Sequence, residues 1–168
     1  DYSSGAYGVA VLSRWPILSR ENHPLPASAD HEPRTALTVR VRLGEQGPML
    51  QFTSTHLDQS REPDDRLAQA RYLNTLLARG EGQPTILAGD MNTRTDTELT
   101  DIFEAQWTSA STTDPPSTAP VGRSRSPVDH VLFRPAESWR VIESRIIEER
   151  VASDHRPLLV VLEWTGTR

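Results

Sequence analysis

The sequence predicts one α/β domain over residues 1–168, α+β by some schemes, with layered, mixed and mostly antiparallel strands. Three observations predict it. Short apolar runs with strand periodicity recur along the chain and are joined by turn residues. One segment, residues 63–80, carries a helical apolar stripe. The order of elements is mixed, with hairpin-like pairs on both sides of that helix and no internal repeat or linker.

Each element has a local reason. Residues 8–13, Gly-Val-Ala-Val-Leu-Ser, read as a buried strand that ends at Trp15-Pro16, because the residue before proline avoids the helical region. Residues 19–33 hold several Pro and His and read as a loop. In residues 35–43, Leu37, Val39, Val41 and Leu43 alternate with Thr38, Arg40 and Arg42, a half-buried strand. Residues 44–48 make a hairpin turn, and residues 49–55 return as a strand that delivers His56 at its end. Pro63 suits a first helical turn, and Asp64 and Asp65 complement its positive end. Leu67, Ala70, Leu73 and Leu77 form the stripe, and Gly80 fits the stop. A strand follows at residues 85–88, then a short helix with Leu99, Ile102 and Phe103 that Asp96 can cap. Residues 109–127 are rich in Ser, Thr, Pro and Arg and read as an exposed connection beside the substrate, with Arg123 and Arg125 in it. Strands close the chain at residues 128–133, 141–147 and 158–164.

Composition narrows the function classes. A chain of 168 residues supports one real core. No apolar run reaches bilayer length, and no signal-peptide pattern is visible, although the chain begins with loop-like residues at Asp1. These features fit a soluble protein, cytoplasmic or secreted. There is no cysteine, which excludes disulfides and thiolate metal sites and leaves the compartment open. Every basic residue is Arg, as GC-rich codon usage produces. The net charge of -5 argues against a broad nucleic-acid-binding surface, but leaves room for a local basic cleft.

Four polar clusters carry candidate chemistry. In Thr85-Ile86-Leu87-Ala88-Gly89-Asp90-Met91-Asn92 an apolar run stops at glycine. Asp90 and Asn92 then follow two apart, on one side of an extended backbone. The same residues also suit a β-turn. Asp154-His155 precedes an apolar strand and offers a metal-ligating carboxylate beside a histidine that titrates near neutrality. A histidine base needs an orienting carboxylate, and Asp129 is the best candidate. His56 ends a strand and can donate to a phosphate. Arg34 can clamp a phosphate oxygen or sit in a surface ion pair. His23, His31 and His130 have no comparable context.

Six segments in order resemble the endonuclease/exonuclease/phosphatase superfamily: residues 8–17, residues 32–37 with Glu-Pro-Arg-Thr, Ser54-Thr55-His56-Leu57, Gly89-Asp90-Met91-Asn92, Val128-Asp129-His130-Val131 and Ser153-Asp154-His155. Its members include pancreatic-type deoxyribonucleases, neutral sphingomyelinases and inositol polyphosphate 5-phosphatases. The resemblance implies a β-sandwich flanked by helices. It also implies that His155, paired with Asp129, activates water, and that His56 binds the scissile phosphate. By the same resemblance Asp90 and Asn92 contact the nucleophile, the phosphate or a second metal; Asp154 helps hold a divalent cation, usually Mg²⁺ and alternatively Mn²⁺; and Arg34 meets substrate. Family members begin with two further strands that carry an Asn and the principal metal-ligand Glu. Nothing before Gly8 resembles either, and Glu21 and Glu32 lie on the wrong side of residues 9–13 to replace the Glu. The resemblance therefore implies a domain missing its N-terminal part. Its open sheet edge and uncovered core face would be met by a separate N-terminal segment or a partner chain.

The leading expectation is a Mg²⁺-dependent phosphoesterase acting on a phosphodiester or phosphomonoester, whether small molecule, lipid head group or nucleic acid. The alternative is a catalytically impaired binding or scaffold module of the same fold. A third reading is a ligand-binding α/β domain whose Asp and His residues only make turns and caps.

Overall fold

The computed structural model describes residues 7–78, 82–94, 97–110, 118 and 127–166. Strands β1 (Ile17–Pro24), β2 (Thr35–Arg42), β3 (Met49–His56), β4 (Thr85–Asp90), β5 (Thr108–Ser109) and β6 (Asp129–Arg134) form one sheet in the order β1-β2-β3-β4-β6-β5. A second sheet pairs β7 (Trp139–Ile146) with β8 (Leu158–Trp164). The pairing is antiparallel except between β3 and β4, which are parallel and are joined through helix α1 (Asp64–Leu77). That crossover is what a parallel neighbour requires. Helix α2 (Glu98–Glu104) follows β4. The expected mixed, layered α/β architecture is present.

Alternation along the strands builds two cores. Ala36, Leu87 and Leu132 point to the helical face, where they meet Ala70, Leu73 and Leu77 of α1 and Leu99 and Phe103 of α2. Their chain neighbours Ile86 and Phe133 point to the other face with Val39, Val41, Leu50 and Trp139. Trp139 of β7 packs edge-on to Phe133 and Trp164, which seats the small sheet against the large one. This second face is less complete. Leu37, Phe52, Val131, Val160 and Leu162 are only partly buried there, and an apolar groove runs between the sheets past Trp15, Leu50 and Phe52.

Buried polar groups lock the helices in place. Asn74 of α1 donates to Ile102 O and accepts from Trp107 Nε1, both at 2.8 Å. Gln69 is fully buried, accepts from Asp58 N at 2.9 Å and donates to Pro26 O at 2.9 Å. Both amides are thereby satisfied at both ends, as burial demands.

Four expectations change. Residues 8–13 are not a strand. Val11 packs on the second core, but none of the described strands pairs with this segment, and apolar residues without a ladder do not make a strand. Residues 17–24, read largely as a loop, are an edge strand held by its ladder to β2. Its side chains are almost all exposed, so no apolar alternation marked it. β5 opens what was read as the connection from residue 109. The cap of α2 is Thr97, which accepts from Thr100 N in a reciprocal capping box. Asp96, Gly80, Arg123 and Arg125 lie outside the described residues.

Candidate active site

The strand register places the site. His56 is the β3 partner of Asp90, and Asp129 is the β6 partner of Asp90. Three polar side chains therefore form one row across the same end of three adjacent strands, and directly opposed residues are near neighbours. His56 Nε2 lies 3.4 Å from Asp90 Oδ2. His155, in the segment between β7 and β8, donates from Nδ1 to Asp129 Oδ2 at 2.8 Å. Ligating atoms of Asp90, Asp129 and His155 all lie within 4.8 Å of one another.

Local backbone devices fix this row. Gly89 has φ 149°, and a Cβ there would sit 1.9 Å from Thr55 O of β3. Only glycine permits that approach. Asn92 adopts a left-handed φ of 47°, a conformation Asn tolerates better than most residues. Its backbone N–H donates to Asp90 Oδ1 at 2.7 Å, and its side-chain Nδ2 donates to Leu57 O at 2.9 Å. Asp90 is thus oriented by the turn that follows it, and the Asn92 amide keeps its oxygen as an acceptor. The turn geometry and the site geometry are the same structure here. Thr118 joins the remaining two segments: its hydroxyl accepts from Val128 N and Asp129 N, and its carbonyl accepts from Arg156 N.

Two carboxylates and two histidines share this rim. Burial raises the Asp90 carboxyl above its ordinary range; the Asn92 N–H opposes this, and the Asp129 charge adds to it. Burial draws His56 down, against the pull of Asp90. For His155, burial also pulls down, but the Asp129 hydrogen bond and the charges of Asp129, Asp90 and Asp154 prevail and raise it. His155 is thereby suited to taking up a proton.

The other candidates stand at different distances from the row. Asp154 is exposed, one residue from His155, and its Oδ1 lies 3.4 Å from Ser153 Oγ. It is not part of the clustered group, although its charge reaches His155. Arg34 is only 3% exposed. It pairs with Glu32 at 2.9 Å and donates from Nη1 to Tyr7 Oη at 3.3 Å. A bidentate fork from Arg34 to a ligand would require the Glu32 pair to open. His130 is buried and bonded to Thr93 O, while His31 pairs with Asp65. A second group of potential ligands, His31, Asp58 and Asp65, lies elsewhere, with its carboxylates already engaged by Ser28, His31 and Ser60.

Sequence reasoning missed Tyr7, whose hydroxyl lies 2.5 Å from His56 Nδ1. It also missed Thr118. No periodicity or spacing encodes these contacts, because Tyr7 reaches a residue 49 positions away and Thr118 ties together Val128, Asp129 and Arg156. The aromatic residue directly before Gly8 was the one available sign.

A helix-covered mixed sheet, backed by a smaller sheet and bearing Asp and His at one set of strand ends, defines a layered α/β protein with a polar rim. The family model described as "Endonuclease/Exonuclease/phosphatase family" matches residues 1–155. The chain belongs to that family. Among similar solved structures is a mannosyl-6-phosphatase of Bacteroides thetaiotaomicron VPI-5482, with 19% identity, TM-score 0.74, and coverage of 89% of this chain and 67% of that one. The human Nocturnin catalytic domain with bound sulfate is 20% identical, with TM-score 0.72 and coverage of 90% and 61%. Sphingomyelinase C from Streptomyces griseocarneus is 19% identical, with TM-score 0.65 and coverage of 88% and 65%. At these identities the likeness is one of fold. The chain spans about two thirds of the length of these structures.

Proposed function

We propose that this chain carries most of the catalytic rim of a metal-dependent phosphoesterase that hydrolyses a phosphodiester or phosphomonoester. The observation that supports this best is the row His56–Asp90–Asp129, completed by the His155–Asp129 hydrogen bond. In this reading Asp129 holds the His155 ring by Nδ1 and leaves Nε2 to take a proton from water. The water oxygen attacks phosphorus, and the bond to the leaving oxygen breaks. His56 donates from Nε2 to a phosphoryl oxygen as charge builds on it.

The donor set fits a hard divalent cation. Asp90 and Asp129 oppose one another, and Asp90, Asp129 and His155 bring ligating atoms within 4.8 Å of one another. Asp90 and Asn92 would hold Mg²⁺ or Mn²⁺, with Asp154 acting directly or through water. Bound there, the ion would neutralise phosphoryl oxygens and stabilise the leaving oxygen. Arg34 would supply positive charge from behind His56. The substrate is a phosphoester; the mannosyl-6-phosphatase and the sphingomyelinase C share this fold, which accommodates both sugar and lipid phosphoesters.

A second reading is a binding or scaffold module. It is favoured by the absence of a glutamate from the clustered ligands among the described residues. Calorimetric titration with Mg²⁺ or Mn²⁺ and hydrolysis of bis-p-nitrophenyl phosphate separate the two. Saturable metal binding with metal-dependent cleavage is expected. In that assay His155→Ala and Asp90→Ala should each lower turnover by at least ~100-fold. Near-normal turnover in both variants would overturn the assignment, and neither binding nor cleavage would leave the module reading.

A further inference from the structure

We propose that Tyr7 is a positioning residue that sets the tautomer of His56: its hydroxyl donates to Nδ1, so the ring carries its proton on Nε2. Both ends of the ring support this. At one end, Tyr7 Oη lies 2.5 Å from His56 Nδ1. Arg34 Nη1 donates to the same oxygen at 3.3 Å, and its guanidinium lies 5.9 Å from the Tyr7 ring centroid. A guanidinium has only donors, so Oη accepts on that side and keeps its own proton available to the imidazole. At the other end, Nε2 lies 3.4 Å from Asp90 Oδ2. A proton on Nε2 is attracted to that carboxylate, whereas a lone pair would face it unfavourably. Neutral imidazole has one donor and one acceptor, and only the Nε2–H form satisfies both ends.

The Arg34 contacts acquire a purpose in this chain of bonds. Glu32 holds Arg34 at 2.9 Å, Arg34 polarises Tyr7, and Tyr7 orients His56. A single protonated nitrogen then faces the reacting side. The significance for catalysis rests on the phosphoesterase reading; the tautomer itself does not.

The test is nitrogen NMR of the imidazole rings in the 168-residue chain, at a pH where His56 is neutral, with His56→Gln identifying its signals. The expected parent spectrum has a protonated Nε2 and a hydrogen-bonded acceptor Nδ1. Tyr7→Phe keeps the aromatic ring, so the packing on Arg34 and His56 remains. It should convert Nδ1 to an unbonded acceptor and populate the Nδ1–H form. A parent with protonated Nδ1, or His56 signals identical in Tyr7→Phe, would overturn the inference. Where phosphodiester cleavage is measurable, Tyr7→Phe should lower kcat by about tenfold, the scale of one hydrogen bond, at unchanged KM. A raised KM at unchanged kcat would instead make Tyr7 a substrate contact and also overturn it. A chain inactive in every form would sink the enzyme reading, while the spectra would still decide the tautomer.

Discussion

Asp129 and Asp65 are both histidine-bound carboxylates, yet they differ in what their loss should reveal. Asp129→Asn keeps the shape of the side chain and removes its charge. His155 then loses the charge that holds its titration up and keeps at most a neutral acceptor. Its midpoint should fall in a metal-free NMR titration, and turnover should drop by at least ~100-fold. An unchanged midpoint would mean that Asp129 does not support the imidazolium. Asp65 works on structure. The Ser28 N–H, followed by the Ser28 hydroxyl and His31, lowers its carboxyl against the effect of burial. A depressed folded-state value contributes stability that is fully present above the ordinary carboxylate value of ~3.9. That contribution fades as pH falls through the lower folded value. Asp65→Asn should therefore be destabilised at neutral pH in urea unfolding, with the gap to the parent closing in strong acid. A gap that persists unchanged in acid would assign the effect to packing instead.

At the scale of elements, the strand ends matter more than the strands. Gly89→Ala forces a Cβ into Thr55 O, so β4 must shift against β3 and take Asp90 away from His56. Circular dichroism should report a lower Tm, and activity should fall further than the stability loss explains. A variant as stable and active as the parent would show that the approach is not needed. At α2, Thr97→Ala removes the reciprocal cap and should cost about 1 kcal/mol in chemical unfolding. Wild-type stability would rule the cap out as a contributor. These elements also show what a sequence can and cannot reveal. β3, β4 and β6 were legible because their apolar residues are bounded by polar ones, and those bounds are where His56, Asp90 and Asp129 fall. β1 was not, since an exposed edge strand owes its form to a neighbour's backbone rather than to its own side chains. Residues 8–13 gave the opposite error, being apolar without a ladder. The Tyr7–His56 bond was beyond reach because it depends on where a segment 49 positions away lands.

For the whole molecule, the two faces of the large sheet are unequal. The helical face is sealed by α1 and α2, while the opposite face keeps a groove between the sheets lined by Trp15, Phe52, Val131 and Val160. Partly exposed aromatic and branched side chains in one strip favour adsorption of apolar probes. The native chain should enhance ANS fluorescence without denaturant, and a Val160→Glu variant that retains the parent's circular dichroism should enhance it less. No enhancement by the parent would mean that the strip is closed in solution. One detail links this large-scale arrangement to the rim. Met91 N donates to Val128 O at 2.9 Å, one rung past the Asp90–Asp129 pair. The exchange rate of that single amide with deuterium is therefore a gauge of whether the two carboxylates are held together, readable in an unligated and inactive sample.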